Sequence, residues 1–151
     1  MGLDRDIRDL ARTELFSGFG DDQLRLLAFG AERLSVPTGR VVYREGDAAD
    51  SAFVLVSGRI GLHVARGGGE RRAGSAEPPS ILCETALITE TARPSTAIAE
   101  TDCDLLRLNR SQFRRILDEW PELAALVRDR VAASLAAMVD SIARVGGRLR
   151  D

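Results

Sequence analysis

Residues 82–97 read Leu82-Cys83-Glu84-Thr85-Ala86-Leu87-Ile88-Thr89-Glu90-Thr91-Ala92-Arg93-Pro94-Ser95-Thr96-Ala97. The stretch sets a carboxylate, Glu84, and a guanidinium, Arg93, at the two ends of a helix-sized segment, with a strand over 95–99 following at once. This spacing suits one ligand that carries both hydroxyls and a phosphate. A carboxylate accepts from a sugar hydroxyl, and an arginine fork satisfies two phosphate oxygens with charge-assisted bonds. The N-terminus of the turn between them adds backbone donors for the same anion. On spacing alone, a surface salt bridge or two solvated charges is the commoner meaning of such a pair.

On either side of this stretch the pattern is β-like. Short pieces rich in β-formers run over 33–36, 40–43, 52–57, 59–65, 95–99 and 104–108. Turn chemistry separates them: Pro37-Thr38-Gly39, Glu45-Gly46-Asp47, Ser57-Gly58 and Gly67-Gly68-Gly69. Gly67 to Gly74 reads as a flexible hairpin tip. Many short strands at close intervals predict a small closed double sheet, a double-stranded β-helix or jelly-roll-like β-roll.

Helical periodicity flanks this β region. Leu3, Ile7, Leu10 and Ala11 share one face, Ser17-Gly18-Phe19-Gly20 breaks the chain, and Asp21 reads as the N-cap of a helix carrying Leu24, Leu27 and Ala28. After the strands, Asn109 or Ser111 caps a helix with Phe113, Ile116 and Leu117. Trp120-Pro121 opens a longer helix ending at Gly146-Gly147. Within it Val131, Leu135, Met138, Ile142 and Val145 recur at alternating four and three. That stripe suits packing on the chain's own β-roll or a helix-to-helix homodimer seam equally. The expected fold is therefore mainly β with flanking helices (α+β), one domain over 1–151. The β-roll occupies about 32–108 and the C-terminal helices about 109–146.

Composition narrows the function. With 44% apolar and 29% charged residues among 151, one core is expected. The 21 basic side chains, all arginine, against 23 acidic ones leave a net charge of −2, which supplies no global field for nucleic acid or an anionic membrane. No apolar run approaches the roughly 20 residues of a membrane span. Asp4, Asp6, Asp9 and Glu14 are unlike a targeting peptide. Cys83 and Cys103 lack the spacing of a metal or redox motif and point to a reducing, cytoplasmic compartment. His63 stands alone, so neither a metal site nor a catalytic triad is expected.

The stretch 82–97 resembles the phosphate-binding cassette of cyclic-nucleotide-binding domains, whose pattern is roughly Phe-Gly-Glu-Leu-Ala-Leu, a variable segment, then Pro-Arg-Ala-Ala-Thr. Gly39, Tyr43, Glu45-Gly46-Asp47 and Phe53-Val54-Leu55-Val56-Ser57-Gly58-Arg59-Ile60 resemble that family upstream. Asp104-Leu105-Leu106-Arg107-Leu108 and Ser111-Gln112-Phe113-Arg114 do so downstream. The resemblance spans about Leu15 to Pro121 and implies a ligand-sensing module for cAMP or cGMP, without catalysis or a further cofactor. By family implication Glu84 holds the ribose 2′-hydroxyl and Arg93 the cyclic phosphate. Backbone amides near Cys83 and Ala86 take the remaining oxygens, and Ser95 and Thr96 offer hydroxyls beside phosphate or base.

Four residues depart from the family pattern. Cys83 replaces glycine, Pro94 follows the arginine where a free amide is usual, Ala92 replaces proline, and Pro79 stands at a turn glycine. Two functions stay open on this reading. One is a sensor that moves its C-terminal helix toward a protein partner; the other is a non-binding interaction or dimerisation module. Cys83 beside Arg93 also suits a redox switch. Arg107, Arg110, Arg114 and Arg115 read as a solvated basic face or a nucleic-acid contact. Direct DNA binding is not expected, since no helix-turn-helix follows within 151 residues.

Overall fold

The computed structural model describes residues 2–134. Two helices open the chain, α1 (Gly2–Ala11) and α2 (Asp21–Gly30), with a 3₁₀ turn at Glu14–Phe16 between them. Ten strands follow: β1 (Glu32–Val36), β2 (Val41–Tyr43), β3 (Ala48–Ala49), β4 (Ser51–Ser57), β5 (Ile60–Arg66), β6 (Gly69–Ala76), β7 (Ser80–Leu82), β8 (Thr91–Ala92), β9 (Thr96–Ala99) and β10 (Cys103–Asn109). A second 3₁₀ turn, Glu84–Leu87, lies between β7 and β8. Helix α3 (Arg110–Glu119) leads into α4, helical over 121–134.

Two four-stranded antiparallel sheets, in the orders β1-β10-β4-β7 and β2-β9-β5-β6, form the roll, and β3 pairs with β8 in a short ribbon. The interior core draws on both sheets: Tyr43, Phe53, Leu55, Ile60, Leu82, Ala97, Ala99, Cys103 and Leu105. On β4 and β10 the alternate residues Ala52, Val54, Leu106 and Leu108 face outward. There they meet Leu10, Phe16, Leu27, Phe113, Val127 and Val131 of the helical layer. Both strands are thus buried on both faces, which explains why β4 reads as a continuous apolar run and not as a clean alternation.

The expected β-roll with N- and C-terminal helices is the fold observed. Two local readings change, and the choice of cap for α3 is settled. Gly69–Ala76 is strand β6, paired with β5 from Ile60↔Ala76 to Arg66↔Gly69. Only Gly67 and Gly68 form the turn, with φ of 55° and 85°, the two positive angles that a tight hairpin demands and glycine supplies. Gly20, not Asp21, is the N-cap of α2; its amide donates to the Gln23 side chain. Asn109 caps α3, its Oδ1 accepting from the Ser111 amide at 2.8 Å.

At the β4–β5 turn Gly58 has φ 93°, and a Cβ there would lie 2.5 Å from the Asp102 carbonyl oxygen. Glycine is therefore required by both dihedral and space. On α4, Val131 is buried against the chain's own helical core. The remaining seam residues Leu135, Met138, Ile142 and Val145 lie outside the described residues.

Candidate functional site

Strand β7 ends at Leu82 and the chain reverses at Cys83, whose φ of 61° and ψ of 42° are left-handed. This is the position where the resembled family carries glycine, and it costs a residue with a Cβ about 1–2 kcal/mol. The reversal throws Glu84–Leu87 into a single 3₁₀ turn, pinned by burial of Ala86 and Leu87. The Ala86 amide is used inside this turn, donating to the Cys83 carbonyl at 3.0 Å. Arg93 follows β8 and is clamped through its backbone: its N–H donates to the Asp47 carbonyl at 2.8 Å, and its carbonyl accepts from Gly46 at 2.9 Å. The Glu45-Gly46-Asp47 turn read from sequence is thus what fixes the Arg93 main chain.

The Arg93 side chain is 6% exposed. Its guanidinium donates to the Ser51 carbonyl at 2.6 Å and to Ser51 Oγ at 3.1 Å. The guanidinium carbon lies over the Tyr43 ring at 4.9 Å and the Phe53 ring at 5.3 Å. Those two rings stack on one another with centroids 5.7 Å apart. Asp50 adds a carboxylate oxygen 3.9 Å away. Ser51 Oγ also accepts from Arg107 Nε at 3.2 Å, and Arg107 reaches Glu32 and Asp50 at 3.3 and 3.4 Å. Burial raises the Asp50 pKa, but bonding to Ser51 and the Arg107 guanidinium outweigh it and hold the carboxyl below its usual value.

The Tyr43 phenol has the Cys83 thiol, the Ser95 hydroxyl and the Arg93 guanidinium as neighbours. Burial first, and then Cys83, push its pKa well above that of a free tyrosine, against the lowering pull of Ser95 and Arg93. Thr96 Oγ1 is engaged too, accepting from the Glu45 amide at 2.9 Å.

Glu84 has a different set of companions. Its carboxylate accepts from the Ser134 hydroxyl on α4. Both line a cleft of about 480 Å³, with Glu14, Ser80 and Arg130 as further polar walls. Arg130 donates to the carbonyls of Glu14, Leu15 and Ser17, the first two at 3.3 and 3.1 Å, and so ties α4 to the N-terminal 3₁₀ turn. Arg93 does not line this cleft. The structure therefore gathers Cys83, Arg93 and Ser95 around Tyr43, while Glu84 is engaged by α4.

Sequence reading missed Ser51, Asp50, Phe53 and Ser134 as partners of the two charged groups. Ser51 is 42 residues from Arg93, and Ser134 is 50 from Glu84. Tyr43 carried one signal, being the chain's single tyrosine. The basic cluster is divided by the fold: Arg107 serves Ser51 and its carboxylates, Arg110 donates to the carbonyls of Ala49, Ala86 and Thr89, and Arg114 and Arg115 are exposed. His63 lies 3.8 Å from Glu70 on the β5–β6 hairpin. Among the described residues no group of three His, Cys, Asp or Glu side chains is placed to hold a metal. Among them, too, no helix is long and apolar enough to cross a membrane.

The fold is thus a two-sheet β-roll closed by helices, with Glu84 opening a 3₁₀ turn after β7 and Arg93 following β8. Residues 33–119 match the cyclic nucleotide-binding domain family, and the chain belongs to it. A cyclic nucleotide-binding-like protein of Brucella abortus has a solved structure 45% identical, with TM-score 0.69, covering 75% of this chain and 97% of that one. The cAMP-dependent protein kinase regulatory subunit of Eremothecium gossypii is 32% identical over 103 residues, 68% of this chain and 22% of its own length. A lysophospholipase of Neurospora crassa is 29% identical over 119 residues, 78% of this chain. The chain spans only 8% of that enzyme's length.

Proposed function

We propose that the chain is a cytoplasmic, non-catalytic sensor for a cyclic mononucleotide, cAMP or cGMP, in which each binding side chain has an internal hydrogen-bond partner that competes with the ligand. The observation that carries this reading is the Ser134 hydroxyl donating to Glu84. A ribose 2′-hydroxyl would make the same bond, so a bound nucleotide and α4 compete for one carboxylate. Ser51 holds the Arg93 fork where a phosphate would. Ligand binding would exchange each surrogate for a ligand atom and free α4 to signal to a protein partner. The ligand shifts the balance only by the difference in its affinity for the two arrangements. Support comes from the family and from the kinase regulatory subunit, which is cAMP-dependent by name.

A ligand-dependent melting series with cAMP and cGMP tests this. The melting temperature should climb with ligand concentration, since a hundredfold excess over Kd stabilises the fold by about 2.7 kcal/mol. Ser134→Ala should bind more tightly, and a 2′-deoxy analogue should lose that gain. No shift with either nucleotide overturns the reading.

A second reading, a non-binding interaction module, is favoured by one feature. Pro94 has no N–H to give a phosphate, beside an Arg93 already enclosed by Tyr43 and Phe53. It gains if the melting series is flat while a protein partner still binds.

A further inference from the structure

Between α2 and α3 runs a groove of about 210 Å³ whose apolar lining includes Leu26, Leu27, Phe29, Phe113 and Ile116. Leu27, Phe113 and Ile116 belong to the helical core, so the walls are held by packing from behind. Phe29 is 81% exposed and Leu26 47%, unusual for large apolar side chains so close together. The charged residues lining the groove are Arg115 and Glu119, one turn apart on α3 and both exposed.

We propose that this groove docks a second copy of the chain about a two-fold axis, Phe29 of each copy entering the groove of the other. Three features select that occupant. Size is the first: an apolar cavity of about 150 Å³ accepts a benzene ring, so this groove has room for a phenyl group. The second is self-complementarity. One surface carries both an exposed ring and a hole for it, and a two-fold axis satisfies such a pair reciprocally. Charge is the third. Antiparallel α3 helices across the axis set Arg115 of one copy against Glu119 of the other, twice, around the buried rings. A foreign partner would have to bring ring and charges together, whereas the second copy already has them. This surface shares no residue with the Glu84 cleft and goes beyond the nucleotide reading.

Sedimentation equilibrium on the full chain is the test. A concentration-dependent monomer–dimer equilibrium is expected. Phe29→Glu should raise the dimer Kd at least about tenfold, as an aromatic anchor at an interface centre does, with circular dichroism and melting unchanged. Arg115→Glu and Glu119→Arg should each raise it about threefold or more, and the double reversal should restore it. A chain that stays monomeric to about 1 mM overturns the proposal, since that Kd leaves only about 4 kcal/mol of association. So does a dimer indifferent to Phe29→Glu, or a double reversal no tighter than the single ones. A dimer that Met138→Glu dissociates while Phe29→Glu leaves it intact belongs to the C-terminal seam, and also overturns it.

Discussion

The guanidinium of Arg93 stacks over the ring of Tyr43 at 4.9 Å, on the interior side of the roll, and its forked nitrogens are bonded to Ser51. A side chain expected to bind a phosphate is therefore also a structural member of the fold. Arg93→Ala should cost about 2–3 kcal/mol of stability without any ligand, through lost charge-assisted hydrogen bonds and cation–π contact. Urea denaturation of both proteins checks it. An unchanged midpoint would mean that the guanidinium contributes nothing until a ligand arrives.

The same contact makes Tyr43 a reporter. Its phenol is neutral and buried in the fold, with its pKa raised by burial and by Cys83. Above the free tyrosine value of about 10, the unfolded chain gives up this proton while the folded one keeps it. Stability is then lost as pH rises. Ultraviolet titration of the single tyrosine should show no tyrosinate until the protein unfolds, and then a cooperative rise. A simple titration near the free value would place the ring in solvent.

Cys83 sits in the left-handed region with a side chain. Replacing it with glycine removes about 1–2 kcal/mol of strain and adds about 0.5–1 kcal/mol of unfolded-chain entropy. Cys83→Gly should therefore melt slightly higher, by about 0.5–1 kcal/mol, under reducing conditions. Cys83→Val should melt lower, because branching at Cβ is poorly tolerated there. The reverse order would show that thiol packing against Tyr43 outweighs the backbone.

Acid should act at Glu100. The Arg72 and Arg59 side chains bond it at 2.7 to 3.0 Å and hold its carboxyl at about 2. A depressed carboxylate contributes stability above its unfolded value of about 4.3, and that share is lost as pH falls from there toward 2. Asp50 and Asp102 are shifted in the same direction. Urea midpoints measured down this range should fall, and Glu100→Gln should fall less steeply than the parent chain. Parallel slopes would show that the pair is screened in solution.

Much of the fold is visible in short-range pattern. The apolar run of β4, the alternation of Leu105 against Leu106 and Leu108, and the turn residues around Gly46 and Gly58 all lie within a few positions of one another. Strand β6 escaped notice because Gly69–Ala76 is largely exposed and carries no apolar face. It is held by its backbone ladder to β5, which every sequence offers equally.

The residues themselves determined that a carboxylate and a guanidinium nine apart would flank one short turn beside a strand of the roll, since local spacing sets which chemistry is near in the chain. Only the tertiary structure decided what each one touches. Ser51 and Tyr43 meet Arg93 because β2, β4 and β9 are brought together when the two sheets close, and Ser134 meets Glu84 because α4 and β7 line one cleft. Those pairings depend on sheet closure and helix docking, and no period within either segment encodes them.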